Sequence, residues 1–179
     1  INGFFVKQPL QLRAILETAG IKCGLMGTVA YCIGDRTIEA ARTTPEAPEV
    51  QGFLHEMLEE ACEACVMEVS SHALALRRVD GMQFAAGVFT NLTRDHLDFH
   101  GNMESYFAAK RRLFEMLPPS APAIINLDDP RGAPLVESAG TPVTYAINKP
   151  ADVTPGPLSF SLEGLAFDPA RVSAAALPR

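Results

Sequence analysis

The sequence contains no tryptophan and only four cysteines, at positions 23, 32, 62 and 65. Four thiols so grouped, with no signal peptide evident ahead of them, exclude the disulfide framework of a small secreted domain and point to a reducing cytosol. Long apolar runs are missing too. None approaches the roughly 20 residues a spanning helix needs, so membrane insertion is not expected. Positive charge is in short supply, with 15 Lys and Arg against 21 Asp and Glu for a net charge of −6. That balance excludes a surface that coats nucleic acid, and an anionic partner would need a specific site. No internal repeat or low-complexity tract is present. What remains is a chain of 179 residues, 47% hydrophobic and 20% charged. It is too apolar for disorder and long enough to bury roughly 70% of its unfolded surface. Because it begins at Ile1 inside an apparent motif and stops at Arg179 without a closing element, a single incomplete domain over 1–179 is expected.

Leu12, Ile15, Leu16 and Ala19 fall at helical spacing before Gly20, which predicts a helix over 9–19. Cys23 to Ala30 reads as a strand interrupted by Gly24 and Gly27, and Gly34-Asp35 followed by Arg36-Thr37-Ile38 suggests a hairpin returning from it. Thr44-Pro45-Glu46 has the form of a helix start, and Val50, Phe53, Leu54, Met57, Leu58 and Ala61 form one apolar stripe behind it. Short apolar runs recur at 65–69, 86–90 and 123–127, separated by helical patterns, the clearest over 103–117 behind Asn102 and a weaker one after Pro130. Such alternation predicts an α/β fold, Rossmann-like, with a mostly parallel sheet flanked by helices. Near the C-terminus, Leu158–Leu162 and Leu165–Phe167 around Glu163-Gly164 predict a small antiparallel hairpin.

In an open parallel sheet, ligands bind outside the carboxyl ends of the strands. Those ends are polar here: Glu68 and Ser70-Ser71-His72 after one, Asn91 and Thr93 to Asp98 after the next, Asn126, Asp128 and Asp129 after the third. Any one of them could be an ordinary loop cap, but three strands together point to a site. Lys110 argues independently. It interrupts the series Met103, Tyr106, Phe107, Leu113, Phe114 and Leu117 on the inward stripe of its helix. An ammonium there must be paired, snorkel outward, lose its proton or be covalently modified. His96 and His100 flank Asp98 at a spacing that resembles a metal pair, yet only two apolar residues surround them, so magnesium among carboxylates suits this rim better than zinc. Cys62-Glu63-Ala64-Cys65 is a CxxC without a second pair and reads as core packing.

Three segments carry a family resemblance: Met67-Glu68-Val69-Ser70-Ser71-His72-Ala73-Leu74, Val88 through Gly101, and Tyr106-Phe107-Ala108-Ala109-Lys110. With Gly24 to Val29 and Ile125 to Pro130, they resemble the central domain of the Mur ligases, in order over about residues 10–168. The branch most similar adds the third residue of the bacterial peptidoglycan stem peptide. The resemblance implies ATP-dependent amide ligation, in which the terminal carboxylate of UDP-MurNAc-L-alanyl-D-glutamate is phosphorylated and an amine of meso-diaminopimelate or L-lysine displaces phosphate. It implies ATP and Mg2+ as cofactors and a full-length enzyme acting as a monomer. Glu68, His96 and Lys110 would be the catalytic and metal-holding set, with Lys110 carbamylated. Asn2, Gly3, Asn91 and Asp128 would lie at the nucleotide, and Thr43, Thr44, Ser70 and Arg78 at the UDP-sugar.

The departures are specific. The family's phosphate loop, Gly-Thr-Asn-Gly-Lys-Thr, survives only as Asn2-Gly3, with Phe4-Phe5 where Lys and Thr belong and Lys7 three residues late. Leu76 stands where a glutamine commonly touches the UDP-sugar. Poor turnover by this chain alone is expected, and a non-catalytic remnant that binds the UDP-sugar or a partner is the competing reading. A folylpolyglutamate synthetase is disfavoured by Ser70-Ser71-His72 and Thr43-Thr44-Pro45.

Overall fold

The computed structural model describes residues 8–156, 158–161, 164–167 and 171–172. They fall into two compact units that divide between Met82 and Gln83. In the first, α1 (Gln8–Thr18) leads into β1 (Cys23–Met26), β2 (Ala30–Ile33) and β3 (Arg36–Glu39). After them come α2 (Ala47–Glu59), β4 (Ala64–Met67) and α3 (Ser71–Ala75). The sheet order is β3-β2-β1-β4. β1 and β4 are parallel, with Cys23 opposite Ala64 and Met26 opposite Met67. The other two pairings are antiparallel. The single strand expected over 23–30 is thus two: the Gly27 N–H turns to the Ala30 carbonyl at 3.2 Å, and β2 runs back along β1 with Met26 opposite Tyr31. Gly34, at φ +56°, makes the tight turn of the β2–β3 hairpin, a backbone region that glycine occupies without strain.

The second helix also starts later than Thr44-Pro45 suggests. Glu46 is its N-cap, and the Glu46 backbone N–H donates to the Glu49 carboxylate at 2.8 Å, half of a capping box. Thr44 is unavailable for capping because its hydroxyl is engaged on β4's far end, as described below. Val50 and Met57 face Met26, Tyr31 and Ile33 in a buried cluster. In α1 the helix forms as expected, but Leu12 and Ile15 remain exposed, and Arg13 Nε ties the helix to β1 by donating to the Cys23 carbonyl at 2.9 Å.

The second unit contains β5 (Gly87–Phe89), α4 (Leu97–His100), α5 (Met103–Glu115), β6 (Pro122–Asn126), α6 (Gly132–Ser138) and β7 (Thr141–Tyr145). β8 (Val153–Thr154), β9 (Leu158–Ser161), β10 (Gly164–Phe167) and β11 (Arg171–Val172) complete it. Its main sheet runs β11-β8-β7-β6-β5, with β5 to β8 mutually parallel and β11 antiparallel at the edge. The α/β fold with a mostly parallel sheet is realised here. α5 begins at its Asn102 cap, whose side-chain oxygen accepts from the Ser105 N–H at 2.8 Å. Its inward stripe supplies Tyr106, Phe107 and Phe114 to a core with Phe89, Ile125 and Leu135. α6 starts so close to β6 that a Cβ on Gly132 would sit 2.1 Å from the Asn126 carbonyl oxygen. The small antiparallel hairpin is present as β9 and β10, with Leu158 opposite Phe167. Asn2, Gly3, Phe4, Phe5 and Lys7 lie outside the described residues.

Candidate functional site

Parallel pairing of β1 and β4 in register carries two loops to one rim. Just past Met26 and Met67 come Gly27-Thr28 and Glu68, and the Glu68 N–H extends the ladder to the Met26 carbonyl at 2.8 Å. Thr28 therefore meets Glu68 across 40 residues of chain. Its backbone N–H donates to Glu68 Oε2 at 2.9 Å and its hydroxyl donates to the same oxygen at 2.5 Å. The Thr43 hydroxyl lies 3.1 Å from that of Thr28. Among the described residues no hydrogen bond goes to Oε1 of Glu68.

The main chain of Glu68 is gripped as well. Thr44, 1% exposed, donates its hydroxyl to the Glu68 carbonyl at 2.9 Å and accepts from the Ser70 N–H at 2.9 Å. Ser70 caps α3 by accepting from the Ala73 N–H at 3.1 Å. Arg78 closes the group: Nη1 reaches the Thr44 carbonyl at 3.3 Å and Nη2 the Glu46 carboxylate at 2.8 Å, while Nε is buried without a hydrogen-bond partner among the described residues. Arg42 also pairs with Glu46. The fold thus brings together Glu68, Thr43, Thr44, Ser70 and Arg78, all anticipated, and adds Thr28, which was not. A small cavity of about 10 Å³ beside Glu68, lined also by Leu25, Gly27, Thr28 and Val29, has room for one water-sized particle.

In the second unit, the ring of Tyr106 organises the anticipated groups. His100 stacks on it at 5.0 Å between centroids, His96 meets it edge-on at 6.0 Å, and Lys110 Nζ stands 5.5 Å from its centroid. Lys110 is half-buried at the margin of the stripe. His96 holds a left-handed backbone, φ 53°, at the entry to the single turn of α4. The left-handed region costs a residue with a Cβ about 1 kcal/mol, so the surroundings enforce this conformation. Burial, aided by Asp95, raises the Tyr106 phenol above its ordinary range. Among the described residues, no group of three or more His, Cys, Asp and Glu could hold a metal by itself.

At the carboxyl ends of β5 and β6, Asn91 Oδ1 is buried with no hydrogen-bond partner among the described residues. Asn126 donates to the Thr90 carbonyl at 2.7 Å. Asp129 accepts from the Leu92 and Arg131 N–H groups, and Asp128 from those of Ile147 and Asn148. Asp128 is thus already bound to a loop, whereas Asn91 presents an acceptor awaiting a donor. Cys65 is in the opposite condition: burial, reinforced by Cys23 and Cys62, pushes its thiol up to about 12, which makes it inert and supports core packing for the CxxC pair.

The Mur ligase middle domain matches residues 11–176. Curated relatives include the UDP-N-acetylmuramoyl-L-alanyl-D-glutamate–2,6-diaminopimelate ligases of Geobacter metallireducens, 45% identical over 86% of this chain, and Clostridium botulinum, 46% over 88%. In both cases the match covers 32% of the relative, so the chain spans about a third of their length. A solved structure of a ligase with the same name superposes with a TM-score of 0.78 at 29% identity, over 90% of this chain and 34% of that one. MurF from Acinetobacter baumannii shares the fold at a TM-score of 0.59 and 14% identity, over 90% of this chain and 35% of its own. No helix among the described residues is long and apolar enough to cross a membrane.

Proposed function

The chain belongs to the Mur ligase family, and from that premise we propose that it is the central, ATP-handling part of a cytoplasmic ligase that extends UDP-MurNAc-L-Ala-D-Glu by one residue. The names of the relatives favour 2,6-diaminopimelate over lysine as the incoming amino acid. The γ-phosphoryl group of ATP passes to the free D-glutamyl carboxylate, giving ADP and an acyl phosphate. The amine then attacks the acyl carbon and phosphate leaves. Charge spreads over the transferring oxygens, so catalysis of this kind is chiefly positioning and electrostatic stabilisation.

The residues of the chain divide that work. Thr43, Thr44, Ser70 and Arg78 bind the UDP-sugar, and the unsatisfied Arg78 Nε is a donor suited to an anionic oxygen. Asn91 contacts the nucleotide through its unpartnered Oδ1, which matches an amino donor. Asp128 contributes at the same edge. Glu68 suits magnesium, because its Oε1 is a hard oxygen that takes no hydrogen bond among the described residues, and magnesium takes one or two carboxylates together with phosphate oxygens and water. By the same family pattern His96 and Lys110 are metal-holding residues, Lys110 as its carbamate: the neutral amine adds to carbon dioxide, a C–N bond forms and one proton leaves. When bound, magnesium neutralises the phosphoryl oxygens.

The observation that carries this reading is the shared cluster in which Thr44 binds the main chain of Glu68 while Arg78 binds Thr44. Calorimetric titration of this chain with UDP-MurNAc-L-Ala-D-Glu tests it. Binding is expected, and Arg78→Ala is expected to weaken it about 10- to 100-fold, as loss of a charged hydrogen bond of about 1.5–3 kcal/mol implies. No heat from the wild-type chain, or equal affinity in the variant, sinks the assignment. Leu76, 53% exposed beside this cluster, favours a second reading in which the UDP-sugar is bound without turnover.

A further inference from the structure

We infer that Thr28 is a positioning residue that couples the cation place at Glu68 to the UDP-muramoyl-peptide place at Thr43 and Thr44; this rests on the roles proposed above for those three residues. Proton accounting carries it. A threonine hydroxyl has one hydrogen, and that of Thr28 is committed to Glu68 Oε2, an ionised acceptor only 2.5 Å away. In the 3.1 Å contact with Thr43, Thr28 must then accept and Thr43 must donate. The chain of bonds runs one way, from Thr43 through Thr28 to Glu68.

Two consequences follow. With Oε2 held twice by Thr28, only Oε1 is offered to a cation, so the carboxylate acts through one defined oxygen. With its proton given to Thr28, Thr43 turns lone pairs outward and presents an acceptor to a donor group of the substrate, such as a peptide N–H. Anything that draws charge from Glu68 alters the strength of that donation, and anything that orients Thr43 acts back on Glu68, because coupling between two sites is reciprocal. The second grip on Glu68, from buried Thr44 to its carbonyl, touches only the main chain and leaves the carboxylate free to respond.

The test measures Mn2+ binding to this chain by electron paramagnetic resonance, with and without saturating UDP-MurNAc-L-Ala-D-Glu, in the wild type and in Thr28→Val, Thr28→Ala and Thr28→Ser. Thr28 is exposed, and the alanine variant serves if valine disturbs the fold. The wild type is expected to bind Mn2+ at least fivefold differently when the UDP-sugar is present, the lower range of ordinary coupling. Valine and alanine should reduce that ratio below twofold, and serine should restore it. An unchanged ratio in the valine and alanine variants, or two ligands that bind the wild type independently, overturns the role of Thr28 alone. A wild type that binds neither Mn2+ nor the UDP-sugar overturns the site itself and this inference with it.

Discussion

Glu68 and Lys110 have different surroundings. In the first unit, each oxygen near Glu68 has a named donor or is conspicuously open, and the bonds are directional: Thr28 on the carboxylate, Thr44 on the carbonyl. In the second, His96, His100 and Lys110 are gathered over one phenol ring at 5.0–6.0 Å. Hydrogen bonds weaken steeply with angle and so specify a position, whereas ring contacts tolerate a range of approach. One rim fixes a single carboxylate oxygen; the other gathers two imidazoles and an amine around one aromatic face.

Removing the ring breaks the comparison most severely. Tyr106→Ala is expected to cost about 3–5 kcal/mol in urea unfolding followed by circular dichroism, while Tyr106→Phe stays within about 1 kcal/mol, since the phenol makes no hydrogen bond among the described residues. A phenylalanine variant as damaged as the alanine one shows that the hydroxyl, not the ring, organises the group. Thr44→Val is the corresponding change in the first unit. It strands the Ser70 N–H and the Glu68 carbonyl, so a loss of about 1–3 kcal/mol is expected by the same measurement. A neutral valine there means that the network is not what holds Glu68. The smallest effect sharpens the picture: Leu76→Gln, which supplies an amide at an exposed position beside α3, should tighten UDP-MurNAc-L-Ala-D-Glu by about fivefold in calorimetry, one hydrogen bond of about 1 kcal/mol. Unaltered affinity removes Leu76 from the binding surface.

Features with short-range causes were legible in the sequence. The α5 stripe repeats over four turns behind an asparagine cap, and the 3.6-residue period identified both the buried phenylalanines and the half-buried Lys110. Polar residues at strand ends marked Glu68 and Asn91 for the same reason. β7 was hidden because Pro142 sits within it, although its ladder tolerates the missing N–H. The start of α2 was misplaced because Thr44 has a capping side chain whose bonds go instead to residues 24 and 26 positions away. Thr28 gave no signal. It falls inside the single interrupted strand expected over 23–30, and only the pairing of β1 with β4 brings it to Glu68.

That pairing makes Met26 and Met67 more than filler. Side chains alternate along a strand, so sliding β4 by one position past β1 would exchange an acidic group for an aliphatic one at the rim. Met26, fully enclosed among Tyr31, Ile33, Val50 and Met57, helps to hold the alignment in place. Replacements at such greasy, chemically mute positions can therefore silence the protein while leaving it folded, and a survey confined to polar residues would overlook them.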